Sequence, residues 1–395
     1  MNKFLDIARQ YGTPVYVTNA PKLREKTNNL IDAFNNINVK IFYAIKANYN
    51  PSIVRILKNA GVYGIDAVSP FEVQHALNLG FKNEEIIFTG TSVTEAEMIF
   101  LEERHILQNI GSLSELRRFA RLFPKKNVSL RINLDIGVGE CDKINTGTED
   151  CKFGLLLEWL DEAKKIVHDA QLCVVGLHCH IGSGLYDPEI FRQVVEKLCN
   201  IATDFSDITF LDFGGGFGVS YKPDQISIDL TQFTQVMIHP IQQLKKILNK
   251  NIDVYFEPGK YLVAESTELI VQVTTVEERV GIKYVGVNSG MNHLIRPTLY
   301  DAYHHITNLS HPDGALEKVR VVGNICETGD ILGDNIAIST VHEGDILAIH
   351  TAGAYGSSMS SNYNMRPFAT EIIIDGEKMM LTRKRQSYED MIENF

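Results

Sequence analysis

The sequence lacks the features that mark a membrane, secreted or nucleic-acid-binding chain. No apolar run approaches the roughly 20 residues of a membrane-spanning helix. The segment Met1 to Pro14 has no apolar core and carries Asp6 and Arg9, so no secretory leader is expected there. Six cysteines, at 141, 151, 173, 179, 199 and 326, form no CxxC pair, which excludes a zinc ribbon or a thioredoxin-type motif. Thiols so scattered over 395 residues fit a reducing cytoplasm better than a disulfide framework. Positive charge is in deficit. The formal net charge of −11 argues against a broad surface for nucleic acid or anionic membrane. A small anionic substrate stays compatible, because a local basic pocket suffices. There is no internal repeat, low-complexity tract or Pro-rich linker.

What is present reads as an ordinary globular chain, 44% hydrophobic and 22% charged, long enough for two domains. Strands are predicted at 39–45, 62–67, 85–90, 106–111, 128–134, 173–179, 209–213 and 253–257. Amphipathic helical patterns lie between them, for example at 52–57, 71–77, 114–119 and 160–165. Eight βα units predict a (β/α)8 TIM-like barrel, with a doubly wound open sheet as the alternative. The predicted strands end in polar residues or glycine: Lys46, Asp66, Thr89-Gly90, Arg131, His178 and His180, Asp212-Gly214 and Glu257. In a barrel these ends share the face where active sites are built. From about residue 266 the texture changes to Val/Ile/Thr-rich runs at 269–276, 319–322, 345–350 and 371–374, a mainly β domain. The expected division is a barrel domain over 25–265 and a mainly β C-terminal domain over 266–395, a β-barrel or sandwich joined by residues 1–24.

The stretch Ile41 to Asn48 starts as an apolar run and ends at Lys46. Two readings stand: a surface lysine at a strand end, or a desolvated lysine that loses its proton and acts as a Schiff-base nucleophile. The run Asp212-Phe213-Gly214-Gly215-Gly216-Phe217-Gly218 is a tight turn or a phosphate cradle, and matches neither GxGxxG nor a Walker loop. His178-Cys179-His180 has no third ligand for zinc. An imidazole packed on a planar cofactor is the better use for it, with Ser183 free for phosphate and a core role open for His178. Glu257, in Glu257-Pro258-Gly259-Lys260, could hold a heteroaromatic nitrogen protonated. In the second domain Cys326 is by default a buried inert thiol. Arg296 suits a carboxylate or a surface salt bridge.

The motifs FYAIKAN, DAVSP, LHCHIGSG, DFGGGFG, EPGK, CETGD and GAYG, in that order, resemble the fold type III pyridoxal-phosphate-dependent decarboxylases. Asn145-Thr146-Gly147 with Lys152-Phe153-Gly154, Ile295 to Tyr300 and Met359 to Asn364 extend the match, which runs from about residue 13 to the C-terminus. The resemblance implies that Lys46 would carry pyridoxal 5'-phosphate (PLP) as a Schiff base. His180 would stack on the ring, Glu257 would meet its nitrogen and Asp66 would stand nearby. Ser183, Gly214, Gly215, Gly216, Gly259, Lys260 and Tyr355 would hold the cofactor. Cys326 would come from the partner subunit of a homodimer and protonate the product carbon. Lys260, Arg296, Tyr300, Glu327 and Tyr355 would bind substrate.

An arginine at 296 points to the branch acting on meso-2,6-diaminopimelate, whose far end carries an ammonium and a carboxylate. Ornithine, lysine or arginine decarboxylases and an amino-acid racemase of the same fold are the alternatives. Two positions depart from the family pattern: Lys260 stands where most relatives have arginine, and Phe71 where glycine is common.

Overall fold

The structure is a computed structural model that describes residues 3–139, 147 and 150–395. Cys141 and the Asn145-Thr146 pair lie outside the described residues. Eight parallel strands close a barrel in chain order. They are β1 (Val39–Ala44), β2 (Gly64–Ala67), β3 (Ile86–Phe88), β4 (Leu107–Ile110), β5 (Asn127–Arg131), β6 (Cys173–His178), β7 (Phe210–Asp212) and β8 (Asp253–Phe256). Pairing of Val254 with Val39 and of Phe256 with Ile41 seals the ring. All eight strands coincide with those expected. Most strand positions are apolar and buried, as a parallel barrel strand requires, and the buried Gln108 and Asn109 of β4 are hydrogen-bonded.

Local chemistry sets where the helices begin. Asn50 and Ser69 cap Pro51–Asn59 and Pro70–Asn78, each side chain accepting a backbone N–H, with proline at the first helical position. Phe71 falls in the first turn of the second of these helices and is exposed to solvent. Glu72 accepts the Val68 N–H at 2.7 Å, so the loop that the Phe71 departure concerned is closed by a side-chain hydrogen bond.

Side chains alternate along each strand, and that period builds the barrel interior in layers. The first layer is aromatic: Tyr255 stacks on Phe210 with centroids 4.3 Å apart and packs on Phe42 at 4.9 Å. Gly64 and Gly176 make room for it, since a Cβ would come within 2.7 Å of the Phe42 ring and 2.0 Å of the Phe210 ring. Two residues further along the same strands stand Asp66, His178, Asp212 and Glu257, all buried. On the helix-facing side Phe256 packs on the Phe34 ring at 4.7 Å and the Phe217 ring at 5.3 Å.

Val138–Gly139 and Gly182–Ser183 pair as a two-stranded sheet, and the other strands form a nine-stranded sheet with its own core, including Leu269, Val271, Val285, Val319 and Leu347. Strand Val15–Asn19 lies inside this sheet, antiparallel to Thr267–Arg279 and parallel to Thr370–Asp375. Leu316–Val322 and Ile346–Ile349, which match expected runs, and Ile282–Val287, Ile306–Asn308, Ile331–Ser339 and Lys378–Arg383, which the sequence pattern does not separate, complete it. The sheet docks on the loop that follows β1. Tyr355 N–H donates to Ala47 O at 2.9 Å, Ser358 Oγ to Ala47 O at 3.0 Å, and Asn48 Nδ2 to Gly353 O at 3.0 Å. Among the described residues no helix is long and apolar enough to cross a membrane.

Phe256→Ala removes the ring that joins barrel to helices and is expected to cost about 3–5 kcal/mol. Urea unfolding followed by circular dichroism measures it; an unchanged midpoint contradicts this packing.

Candidate active site

Lys46 sits in a single 3-10 turn, Ile45–Ala47, directly after β1. Its side chain is 40% exposed at the barrel mouth, and its Nζ lies 2.5 Å from Asp66 Oδ2. The expectation that desolvation would lower its pKa is corrected here. Burial does pull the ammonium down, but Asp66, with Tyr355 and Glu257 beyond it, raises it above the ordinary lysine range. Asp66 is itself pushed up by burial and by Glu257, against the opposing pull of Lys46. Lys46 is therefore held as an ammonium against the Asp66 carboxyl group.

Glu257 follows β8 and is 7% exposed. His178 Nε2 lies 2.9 Å from its Oε2, and Thr89 Oγ1 donates to its Oε1 at 3.2 Å. Asn109 Nδ2 in turn donates to Thr89 Oγ1 at 2.9 Å. Burial opposes the charge on Glu257, yet His178 and then Lys46 hold its carboxyl down at about 2. Asp212 behaves oppositely: burial and the neighbouring Glu257 push it well above the usual carboxylate range. The two adjacent acids are thus pushed in opposite directions, as repulsion between neighbouring buried carboxylates requires.

Strand β6 stops at His178, so His180 lies beyond the pleat. The Gly215 N–H donates to His180 Nδ1 at 3.3 Å, which fixes the imidazole against the glycine run. Burial, Arg131 and Lys46 hold His180 down to about 3, so the ring is neutral. The run itself requires glycine. Gly214 and Gly216 have φ of +65° and +96°, and Cβ atoms there would approach His180 Nδ1 to 2.7 Å and Gly182 O to 2.4 Å. Gly216 O accepts the N–H groups of Gly184 and Leu185, which moors the Ser183 segment alongside. At Gly259 a Cβ would approach Ala47 Cβ to 3.0 Å, so this residue keeps the Lys46 turn close.

Lys260 and Arg296 are both buried, and both lie over Tyr221, at 5.7 and 4.6 Å from its ring centroid. Arg296 Nη1 stands 3.2 Å from Nε2 of His304, which burial and Arg296 hold down at about 3 and hence neutral. Burial raises the Tyr355 phenol, Lys46 and Arg296 oppose the rise, and Asp66 and Tyr300 add to it. Tyr355 thus links the Lys46 turn to the helix Arg296–Tyr300. Cys326 is exposed rather than a buried inert thiol. Its N–H donates to Asn364 Oδ1 at 2.8 Å, and Tyr363 OH donates to Glu327 on the same loop.

The donor set suits PLP. A cradle that only glycine can form, an ionised buried carboxylate for a ring nitrogen, and a neutral imidazole are in place. The Asp66 Oδ1 and His178 Nδ1 atoms are buried without hydrogen-bond partners at the same mouth. In the sequence Thr89, Arg131 and Asp212 stand out only as polar strand ends and His178 as a core histidine, while Asn109 and Tyr221 carry no mark. The two-residue period from Gly64, Gly176, Phe210 and Tyr255 would have turned Asp66, His178, Asp212 and Glu257 inward. Tyr221 lies in a loop and carries no such signal.

Comparison with known proteins agrees with this site. Residues 21–264 match the family model described as pyridoxal-dependent decarboxylase, pyridoxal binding domain. Diaminopimelate decarboxylase of Methanothermobacter thermautotrophicus is 36% identical, over 98% of this chain and 92% of its own length. That of Escherichia coli is 33% identical, over 98% and 95%. The crystal structure of diaminopimelate decarboxylase from Helicobacter pylori complexed with L-lysine superposes with a TM-score of 0.90 at 33% identity, covering 99% of this chain and 98% of that one. The chain belongs to the pyridoxal-dependent decarboxylases, in the diaminopimelate decarboxylase family.

Proposed function

We propose that this chain decarboxylates meso-2,6-diaminopimelate to L-lysine and CO2. The observation that carries the reaction type is Glu257, buried and yet ionised in reach of Lys46. PLP, when bound, supplies a carbonyl for amine condensation and a ring that accepts the electron pair left by CO2. Glu257 stabilises a protonated ring nitrogen, and His178 and Thr89 hold both of its oxygens. This arrangement favours decarboxylation over racemisation, because a strong electron sink suits loss of CO2. Asp66 takes up and returns the Lys46 proton as substrate amine replaces the lysine. His180 would pack on the ring of bound cofactor, Ser183, Gly214 to Gly216 and Tyr355 would hold its phosphate, and Gly259 would line the same site.

Arg296, held between Tyr221 and His304, is the carboxylate-recognising group for the far end of the substrate. Lys260, also close to the Tyr221 ring, adds positive charge in place of the usual arginine. Cys326 and Glu327, exposed on their loop, are contributed to the partner's site in a homodimer. Tyr300 and Tyr355 complete the substrate contacts. Two domains, 25–265 and 266–395 with 1–24, divide the work between cofactor and substrate. Free thiols at all five described cysteines support a cytoplasmic setting.

Purified enzyme with PLP is expected to release CO2 from meso-diaminopimelate and to form L-lysine, with ornithine, arginine and lysine turned over far more slowly. Equal or faster release from ornithine contradicts the substrate assignment but not the family. Arg296→Ala removes a charged hydrogen-bonding partner and is expected to raise KM for the meso substrate roughly 10- to 100-fold. Cys326→Ala is expected to lower kcat by about 10²–10⁴-fold, the range for a lost proton donor, with cofactor retained. Mixing it with inactive Lys46→Ala restores part of the activity if sites are shared; no recovery after proven subunit exchange argues for sites within one chain.

A further inference from the structure

The second domain carries a histidine–carboxylate cluster that decarboxylation does not use. His311 lies in the turn between strands Ile306–Asn308 and Leu316–Val322. His342 and Asp345 lie in the turn between Ile331–Ser339 and Ile346–Ile349. Leu316 pairs with Ser339 and Asn308 with Leu347, so both turns leave the sheet at the same end. His311 Nε2 is 3.2 Å from Asp345 Oδ1, and His342 Nδ1 is 3.8 Å from Asp345 Oδ2. One ligand atom from each residue falls within 4.8 Å of the other two.

The cluster is held from beneath. Asn308 is buried, and its Oδ1 accepts the N–H groups of Ser310 and His311 at 2.9 and 3.2 Å. Its Nδ2 donates to Asp345 Oδ2 at 3.0 Å and to Thr340 O at 3.0 Å. The His342 N–H also donates to Asp345 Oδ2, at 2.9 Å. One buried amide therefore orients the carboxylate and the backbone of one imidazole, leaving Asp345 Oδ1 turned toward His311. Outer hydrogen bonds of this kind are how ligand carboxylates are fixed. The two imidazoles are 53% and 65% exposed, which leaves them free to turn onto a shared centre.

The donor set selects the ligand. Two imidazole nitrogens and one carboxylate oxygen match three-ligand zinc sites that keep an open fourth position. Donors on a tetrahedral zinc ion stand about 2.0–2.2 Å from the metal and so roughly 3.3–3.5 Å apart, close to the spans seen here. Mg2+ and Ca2+ prefer oxygen ligands and have no reason to choose this set. We propose that His311, His342 and Asp345 form a site for a divalent transition cation such as Zn2+, which clips two turns of the second domain together.

The test uses PLP-loaded protein freed of metal with a chelator, titrated with ZnCl2 by calorimetry, with MgCl2 as the comparison. A Cys326→Ser background removes an exposed thiol that also takes zinc. The expected result is one zinc per chain, a higher thermal midpoint with zinc, and no response to Mg2+. His311→Gln and His342→Gln are each expected to weaken zinc binding by about tenfold or more, and to abolish the thermal shift. Both variants keep the cofactor absorbance of their parent, which reports that they are folded. Equal zinc affinity in the parent and both variants overturns the proposal, as does a Mg2+ response equal to that of Zn2+. In either case the cluster is a surface His–Asp ion pair.

Discussion

The structure depends on one electrostatic constraint: an ionised carboxylate kept at the mouth of a dry barrel. Glu257 has lost most of its water, and burial alone would neutralise it. His178 and Thr89 hold its oxygens, Lys46 lies within electrostatic reach, and the neighbouring Asp212 is pushed the opposite way, toward its neutral form. Removing one member leaves the others uncompensated, which is costly in a low-dielectric interior. The aromatic layer of Phe42, Phe210 and Tyr255 closes the barrel below this set, and the glycine run bounds it above.

Positioning comes from both domains. The Lys46 turn is tied by hydrogen bonds from Asn48, Tyr355 and Ser358 across the domain boundary. The lysine proposed to anchor cofactor is thus fixed by the domain that carries Arg296. Tyr221 joins the two sides again, with Lys260 of the barrel and Arg296 of the second domain both over its ring. A shift of the β domain would move Arg296 and Lys46 together, and with them the proposed substrate and cofactor contacts.

Much of this was readable before any coordinates. Parallel barrel strands announce themselves as short apolar runs, so all eight were found, and their polar ends marked the mouth. Lys46, Glu257, the triple glycine and His180 stood out because each breaks an apolar run. The direction of the Lys46 shift was not readable, since it depends on Asp66, which lies 20 residues further along the chain and 2.5 Å away in space. The division of roles between Glu257 and Asp212 was hidden for the same reason: it arises from contacts across neighbouring strands. Tyr221 lay in a loop, where no periodicity tells a buried ring from an exposed one. The weaker strands of the second domain, such as Ile331–Ser339 with its exposed Asp334 and Asn335, alternate too irregularly to stand apart from turns.

The central claim is that Glu257 keeps the cofactor ring nitrogen protonated. Reconstituting the enzyme with PLP labelled with 15N in the ring and recording its nitrogen NMR signal at neutral pH tests this directly. The account predicts the chemical shift of a protonated pyridinium in the wild type and of an unprotonated ring in Glu257→Ala. An unprotonated signal in the wild type would contradict it.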